Sequence, residues 1–216
     1  MMRNRDLPNM LIVMSDQHAL RFLGSQDDPI IHTPALDALA REGVSFNNCY
    51  CPSPLCVPSR MSFMTGRLPS ENRVLTNHDS LSSNIPTFAH VLGAAGYDCR
   101  LVGRMHFVGP DQLHGFARRE FGDIGSIWPG GPPPDMGALT NARGNRAAEL
   151  INSGAGHTSY SKYDQLVLER SLDVFEELSN TYKQTGTPFC LVVGLFLPHP
   201  PFIAPPEIYA RYQGET

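Results

Sequence analysis

One cysteine, Cys56, lies where the sequence predicts the mouth of a short helix. Pro58 suits the first position of a helix, because it lacks only an N–H group that would be unpaired there. The helix would run to Thr65, and Gly66 is a natural left-handed residue to end it. Cys56 would then face free backbone N–H groups at the positive end of the helix dipole, with Arg60 one turn further in. Such a place attracts an oxyanion, although a cysteine beside a helix start can also be an ordinary buried residue.

A carboxylate follows the first predicted strand. Residues 9–14 (NMLIVM) form a continuous apolar run, which is typical of a strand buried on both faces of a parallel sheet. The strand leads to Asp16 and Gln17 at its carboxyl end, the edge where open α/β sheets bind ligands. A carboxylate near a candidate anion site indicates a hard cation that bridges it to the substrate. Alternatively, Asp16 is a loop or cap residue.

Basic side chains follow two further apolar segments. Residues 99–102 form a predicted strand, and Arg104 and His106 come directly after it. Because they stand two residues apart, these side chains would project to one face of an extended segment. His199 follows the apolar run 189–196 in a similar way. Each histidine could instead be a loop residue without a chemical role.

The elements between these strands have helical character. A helix is predicted from its cap, Thr33, through Pro34 at the first position to Gly43 at its end, with Leu36 and Leu39 facing inward. Residues 44–46 then predict a short strand that feeds the loop before Cys56. A second helix is predicted over 87–95, with an apolar side made of Phe88, Val91 and Leu92.

The clearest helical pattern covers residues 163–182. We expect its apolar stripe to pack in the core, and the stripe consists of Leu168, Leu172, Phe175, Leu178 and Tyr182. The repeated order of strand, helix and strand predicts an α/β fold with a doubly wound, mostly parallel sheet flanked by helices.

The cysteine segment resembles the signature of the type I, formylglycine-dependent sulfatases of the alkaline phosphatase superfamily. The matching residues are Cys56, Pro58, Ser59, Arg60, Thr65, Gly66 and Arg67. In that family the cysteine is oxidised to formylglycine, and the hydrated aldehyde supplies one hydroxyl to attack sulfur. Deprotonation of the second hydroxyl then expels sulfate and regenerates the aldehyde.

The resemblance also implies roles for the other candidates. The metal ligands would be Asp16, Gln17 and the modified Cys56, and the ion would be calcium, with manganese or magnesium as alternatives. Arg60 would support the hydrate. Arg104, which stands where the family has lysine, would face the sulfate, while His106 would hold the hydroxyl and His199 would face the departing oxygen.

Residues 105–116 resemble the corresponding segment of choline sulfatases and close bacterial relatives. Choline recognition requires an aromatic or acidic cage, and the corresponding region here is unlike one, because only Trp128 is available before the Gly/Pro-rich loop 129–134. Residues 123–162 are poor in apolar side chains and predict an active-site loop insertion. His157, within it, is expected to be solvated.

The resemblance covers nearly all of residues 1–216, but only the N-terminal portion of a sulfatase catalytic domain. The family's later Asp-His-Gly-type metal segment has no match here. We therefore expect a fold that is incomplete at the C-terminus and a chain that is inactive by itself.

The composition narrows the partners and the location. A net charge of −4 with 18% charged residues gives no basic footprint for nucleic acid. The apolar run 10–14 is too short for a signal peptide or a membrane span, which predicts a cytoplasmic protein without a membrane partner. Five cysteines make no even disulfide framework, and the spacing of Cys49, Cys51 and Cys56 fits no common zinc pattern.

The first functional hypothesis is a sulfuric ester hydrolase, of arylsulfatase or choline-sulfatase type. Its partners would be a small-molecule sulfate ester and a formylglycine-generating or anaerobic maturation enzyme, with a homo-oligomer left open. One alternative is a phosphonate monoester or phosphodiester hydrolase of the same superfamily. The other is a non-catalytic fragment that binds anions or packs on a partner.

Overall fold

The computed structural model describes residues 7–26, 30–124 and 153–214. The strands are β1 (Met10–Met14), β2 (Asp98–Gly103), β3 (Arg118–Phe121), β4 (Gly154–Ala155), β5 (Phe189–Gly194) and β6 (Ile203–Ala204). The helices are α1 (Pro34–Glu42), α2 (Cys56–Thr65), α3 (Pro69–Asn72), α4 (Phe88–Ala94), α5 (Ser159–Thr185) and α6 (Pro206–Tyr209). Single 3₁₀ turns cover Leu20–Phe22, Gly24–Gln26 and Ala210–Tyr212.

Four of the strands form one sheet in the order β1-β5-β2-β3. All three neighbouring pairs are parallel, so the four carboxyl ends lie at one edge. The central strand β5 is buried along its whole length, as a strand with neighbours and helix cover on both sides should be. β4 and β6 form a separate parallel pair.

Helices cover both faces of this sheet, and side chains alternate between two apolar clusters. On one face, Val57, Met61 and Met64 of α2 pack with the side chains of Leu101 and Val192. On the other face, α5 packs on the side chains that point the opposite way, and these residues are Val102, Leu191 and Val193. The predicted fold, an α/β protein with a doubly wound parallel sheet flanked by helices, is confirmed.

The expectation that β1 is buried on both faces is wrong for the described residues. β1 is an edge strand, and its side chains alternate between half-buried and exposed. Ile12 packs against the α2 cluster, whereas Leu11 and Val13 are 54% and 60% exposed. The apolar run correctly predicted a strand, but it could not predict that helix cover on the α5 side would stop short of that strand.

The local elements before the cysteine differ in part from their prediction. α1 has the expected bounds between Thr33 and Gly43, but Leu36 and Leu39 are exposed rather than inward. Residues 44–46 form no strand and are exposed. The strand prediction for residues 44–46 is therefore wrong. Their apolar side chains indicated a strand, but no described element packs on them.

Two helices keep their predicted position but use a different apolar face. In α4 the buried residue is Ala89, while Val91 is exposed and Phe88 and Leu92 are partly buried. α5 is longer than predicted at both ends, and three residues of its predicted stripe, Leu168, Leu172 and Phe175, are exposed. Its buried face consists of Tyr163, Val167, Ser171, Val174 and Leu178, with Ser161 at the start.

Among the described residues, no helix combines the length and apolar character needed to cross a membrane. His157 is exposed, as expected. Trp128, the loop 129–134 and most of the predicted insertion 123–162 lie outside the described residues.

Candidate active site

Side chains from every strand of the sheet meet at its carboxyl edge. Asp16 follows β1, His199 follows β5, Arg104 and His106 follow β2, and Asp123 follows β3. α2 brings Cys56 and Arg60 over this edge. The structure thus brings together the predicted residues Asp16, Cys56, Arg60, Arg104, His106 and His199.

Two glycines allow the ends of β2 and β5 to approach closely. A Cβ atom on Gly194 would overlap the backbone of Arg104, and one on Gly103 would overlap the carbonyl oxygen of Gly194. Gly103 also has a φ of 87°, a conformation that side chains disfavour. The amide of Arg104 donates to the carbonyl of Gly194 at 2.8 Å, which fixes where the Arg104 side chain leaves the sheet.

α2 begins at Cys56, two residues before the predicted start, and ends at Gly66, whose φ of 66° matches the expected left-handed stop. The N–H of Val57 donates to Oδ1 of Asn77 at 2.9 Å, and Pro58 has no N–H. The mouth of α2 therefore offers an anion fewer backbone donors than the sequence indicated. Asn77 had no sequence pattern that marked it.

Asp16 is the most heavily shared group of the site. It is 5% exposed, and its Oδ2 accepts from Arg104 Nε at 2.6 Å and from an Arg60 terminal nitrogen at 3.1 Å. Burial by itself would raise the pKa of Asp16, but the charges of Arg104 and Arg60 outweigh burial and lower that pKa. The carboxylate is therefore ionised, and its Oδ1 lies 3.7 Å from Sγ of Cys56.

Arg60 and Arg104 lie next to Cys56, and contacts with their neighbours hold both side chains in place. Arg60 donates to the backbone carbonyl of Arg104 at 2.8 Å. The guanidinium of Arg104 lies 4.1 Å over the ring centroid of Phe196, a cation–π geometry. The arginine fork is planar with fixed donor directions, so these contacts hold Arg104 in one orientation.

His106 has a defined tautomer because Arg104 donates to its Nδ1 at 2.9 Å. An arginine can only donate, so Nδ1 must accept and Nε2 must carry the ring proton. Burial, reinforced by the charge of Arg104, lowers the pKa of His106 to about 4. At neutral pH this ring is an uncharged donor.

Asp123 holds His106 from behind, and sequence reasoning missed it. Its Oδ2 accepts the backbone N–H of His106 at 2.8 Å and a nitrogen of Arg119 at 2.5 Å. His106 has a φ of 60°, which is strained for a residue with a side chain. Burial raises the pKa of Asp123, but Arg119 and Arg104 outweigh burial and lower that pKa, so a charged carboxylate anchors this turn.

His199 has the opposite tautomer to His106. Its Nδ1 lies 2.7 Å from the carbonyl oxygen of Pro200, and a carbonyl can only accept. Nδ1 therefore carries the proton of the neutral ring, and Nε2 has the free lone pair. Asp164 fixes the preceding turn, because its carboxylate accepts the N–H groups of Phe196 and Leu197 at 2.6 and 2.9 Å.

Cys56 lines a cavity of about 340 Å³, a volume within the usual range for small-molecule sites. Gln17, exposed and with a φ of 60°, lines the same cavity. Burial, and then the charge of Asp16, raise the pKa of Cys56. The unmodified side chain is therefore a thiol at neutral pH, and a thiol is a weak nucleophile.

Ligand atoms of Asp16, Cys56 and His199 all lie within 4.8 Å of one another. Calcium binds about six to eight oxygens. Of this cluster, only Oδ1 of Asp16 is a free hard donor, since Oδ2 is committed to two arginines, and Gln17 adds one amide oxygen at the cavity. The described residues alone therefore do not fit calcium.

Comparisons with known proteins identify the family of this chain. A family model described as Sulfatase matches residues 8–216. Choline-sulfatase of Rhizobium meliloti (strain 1021) is 38% identical over 219 aligned residues, which cover 95% of this chain and 41% of that protein. N-acetylglucosamine-6-O-sulfatase of Bacteroides thetaiotaomicron is 32% identical over 105 residues, which cover 49% of this chain and 19% of that protein.

Among solved structures, phosphonate monoester hydrolase of Agrobacterium radiobacter matches with a TM-score of 0.69 at 20% identity, over 97% of this chain and 45% of that one. At this identity the likeness shows the fold alone. The chain spans less than half the length of each of these relatives.

Proposed function

The chain belongs to the sulfatase family, and from that premise we propose that the complete protein hydrolyses a sulfate monoester. The observation that carries the proposal is the position of Cys56. It lies at the start of α2, on a cavity, beside Asp16 and His199 and in front of two buried arginines. A covalent nucleophile with fixed positive charge nearby suits transfer of an anionic group.

We propose that Cys56 acts only after a maturation enzyme has oxidised it to formylglycine. The raised pKa of the thiol supports this, because a protonated thiol in a buried setting is inert. The modified side chain would supply the nucleophilic hydroxyl at position 56.

The surrounding side chains supply complementary donors and acceptors. Nε2–H of His106 is a neutral donor suited to hold a hydroxyl oxygen. While Nδ1 of His199 donates to the carbonyl of Pro200, Nε2 can protonate a departing oxygen only after it has itself received a proton. Arg60 and Arg104 contribute positive charge for the sulfate group, although both are anchored to Asp16.

The proposal includes a divalent metal ion, and other parts of the protein would complete its set of ligands. Asp16, Gln17 and position 56 would hold it, with calcium as the expected ion and manganese or magnesium as alternatives. Such an ion would polarise a substrate oxygen. The oxygens that calcium still needs must come from outside the described residues.

Choline sulfate is the first substrate to test, because choline-sulfatase is 38% identical to this chain. The experiment uses the complete protein, expressed with a maturation enzyme, and compares choline sulfate, an aryl sulfate and an aryl phosphonate diester. We expect the sulfate esters to be turned over fastest. A preference for the phosphonate diester would replace the proposal by the phosphonate hydrolase alternative, and no turnover of any ester would favour a non-catalytic protein.

Cys56→Ala and Cys51→Ala form a matched pair of cysteine variants for this experiment. Cys51 lines the same cavity but bonds Ser59 and the carbonyl of Ser53 instead of Asp16. We expect Cys56→Ala to lose on the order of 10⁴-fold or more in kcat, the scale of removing a covalent nucleophile, and Cys51→Ala to stay active. Appreciable turnover by Cys56→Ala would refute the assignment of the nucleophile.

A further inference from the structure

We propose that, while Cys56 is an unmodified thiol, Asp16, Cys56 and His199 bind a thiophilic divalent ion of the zinc class, and that this ion shields the cysteine. The proposal concerns the unmodified chain and does not depend on its proposed activity. It adds His199 and a sulfur ligand to the site, neither of which suits calcium.

The spacing of the donor atoms suits a small tetrahedral ion. With zinc bonds of about 2.0–2.3 Å, neighbouring ligand atoms lie roughly 3.3–3.8 Å apart. Sγ of Cys56 and Oδ1 of Asp16 are already 3.7 Å apart. A ring nitrogen of His199 lies within 4.8 Å of both atoms, so its distances to the sulfur and to the oxygen must each shorten by at most about 1 Å to reach the zinc range.

His199 is prepared as a ligand by its hydrogen bond to the chain. A histidine that binds a metal almost always donates its other ring N–H to a carbonyl or carboxylate. Nδ1 of His199 makes this bond to Pro200, which leaves the lone pair of Nε2 free. Asp164 holds the turn that carries the ring.

A thiolate and one carboxylate supply two negative charges to a divalent ion, and the proton of the thiol passes to solvent when the metal–sulfur bond forms. The positive charges of Arg60 and Arg104, which act on both Asp16 and Cys56, oppose the ion and lower its affinity. Arg60 and Arg104 are bound to Oδ2 of Asp16, so Oδ1 remains available to the ion. The cavity in front of Cys56 leaves room for water as a fourth ligand.

The first test is the cobalt spectrum of the protein expressed without a maturation enzyme, with the thiol state verified by mass. Cobalt(II) substitutes for zinc and shows a thiolate charge-transfer band when sulfur is a ligand. We expect this band in the unchanged protein, its loss in Cys56→Ser, and a weakened band in His199→Gln. Absence of the band in the unchanged protein, or its persistence in Cys56→Ser, would overturn the proposal.

Two matched variants serve as controls for the ligands. His18 lines the same cavity, but its Nε2 bonds the carbonyl of Phe22 and its Nδ1 faces the hydroxyl of Ser15, so His18→Gln should leave the band unchanged. Cys51→Ser should leave it unchanged as well. Loss of the band in Cys51→Ser would assign the sulfur ligand to Cys51 and refute the proposal.

The second test measures the shielding itself by alkylation of the thiols. Cys49, Cys51 and Cys56 lie on one tryptic peptide, residues 42–60, so fragment ions are needed to separate them. At free zinc of ten times its dissociation constant, alkylation of Cys56 should slow about tenfold, while Cys49 and Cys51, which are exposed, keep their rates. Equal rates for Cys56 with and without zinc, or equal protection by calcium, would refute the shielding.

Discussion

Asp123 is the residue on which the orientation of His106 depends. Its carboxylate is the acceptor for the backbone N–H of His106, whose left-handed backbone is otherwise disfavoured. It also lies 3.9 Å from a terminal nitrogen of Arg104. Asp123 is not among the residues that line the cavity at Cys56, so its expected role is that of a positioning residue.

Replacing Asp123 with Ala should lower kcat of the complete protein by about 10–100-fold with little change in KM, the scale seen when a supporting partner of an active-site group is removed. The conservative Asp123→Asn should recover part of the loss, because an amide oxygen can still accept the His106 N–H. Steady-state kinetics at fixed pH check both variants.

Asp111→Ala is the control, since the Asp111 carboxylate also accepts backbone N–H groups, from Leu113 and His114, and lies away from the cavity. It should leave kcat unchanged, because its partners do not contact His106 or Arg104. Equal losses of kcat in the two alanine variants would show that Asp123 has only a structural role and does not position His106 for the reaction.

The sequence predicted the site residues that follow apolar strands or belong to the cysteine segment, and it missed the one after β3. Asp16, Arg104 and His199 come after runs that clearly predict buried strands. β3 has the sequence RREF, which contains no apolar run, so Asp123 fell into the predicted insertion instead. Recognising β3 would have required knowing that it pairs with β2 in parallel, which is tertiary information.

At the scale of elements, α5 shows what helical periodicity cannot decide. Two adjacent stripes on this helix are apolar at the same spacing, and the one that contains more leucines is the natural prediction for the core. The buried face shares Leu178 with the predicted stripe, but its other members lie on the neighbouring stripe, because that stripe faces Val102, Leu191 and Val193 of the sheet. The buried Ser171 on that stripe is satisfied by the carbonyl of Val167 at 2.6 Å, so its polarity was misleading.

The assignment of the buried stripe can be checked with two leucines of the same helix. Leu178 is 1% exposed and Leu172 is 62% exposed. Leu178→Ala should lower the free energy of unfolding by about 2–5 kcal/mol, because it leaves a cavity. Leu172→Ala should change it by less than about 0.5 kcal/mol. Urea denaturation of both variants measures this difference, and equal effects would contradict the packing.

The close approach of the ends of β2 and β5 leads to a second prediction at the scale of secondary-structure elements. Gly194→Ala should lower the free energy of unfolding by at least about 3 kcal/mol and displace Arg104, since the new methyl group overlaps the Arg104 backbone. Gly93→Ala in α4 is the matched control. Nothing lies within 4 Å of its added Cβ, so it should stabilise by about 0.4–1 kcal/mol. Denaturation midpoints test the pair, and a tolerated Gly194→Ala would refute the close approach of the strands.

At the scale of the whole molecule, the sheet is organised around its carboxyl edge, while its β1 side is left open among the described residues. Leu11 and Phe175 share an apolar groove of about 350 Å³ between β1 and α5. Val13, Leu168 and Leu172 are also exposed on these two elements. An edge strand with exposed apolar side chains favours pairing with another chain.

The 216-residue chain should therefore associate as its concentration rises, through the open side of β1. Sedimentation velocity should give a mass above 23.8 kDa that increases with concentration. Val13→Lys should weaken this association at least about tenfold, because a charge on an edge strand must be desolvated when strands pair.

Val44→Lys is the matched control, since Val44 is 77% exposed but lies outside the sheet, and it should leave association unchanged. A chain that stays monomeric at all concentrations would refute the prediction, and equal effects of the two lysines would show that net charge, rather than the β1 edge, controls association.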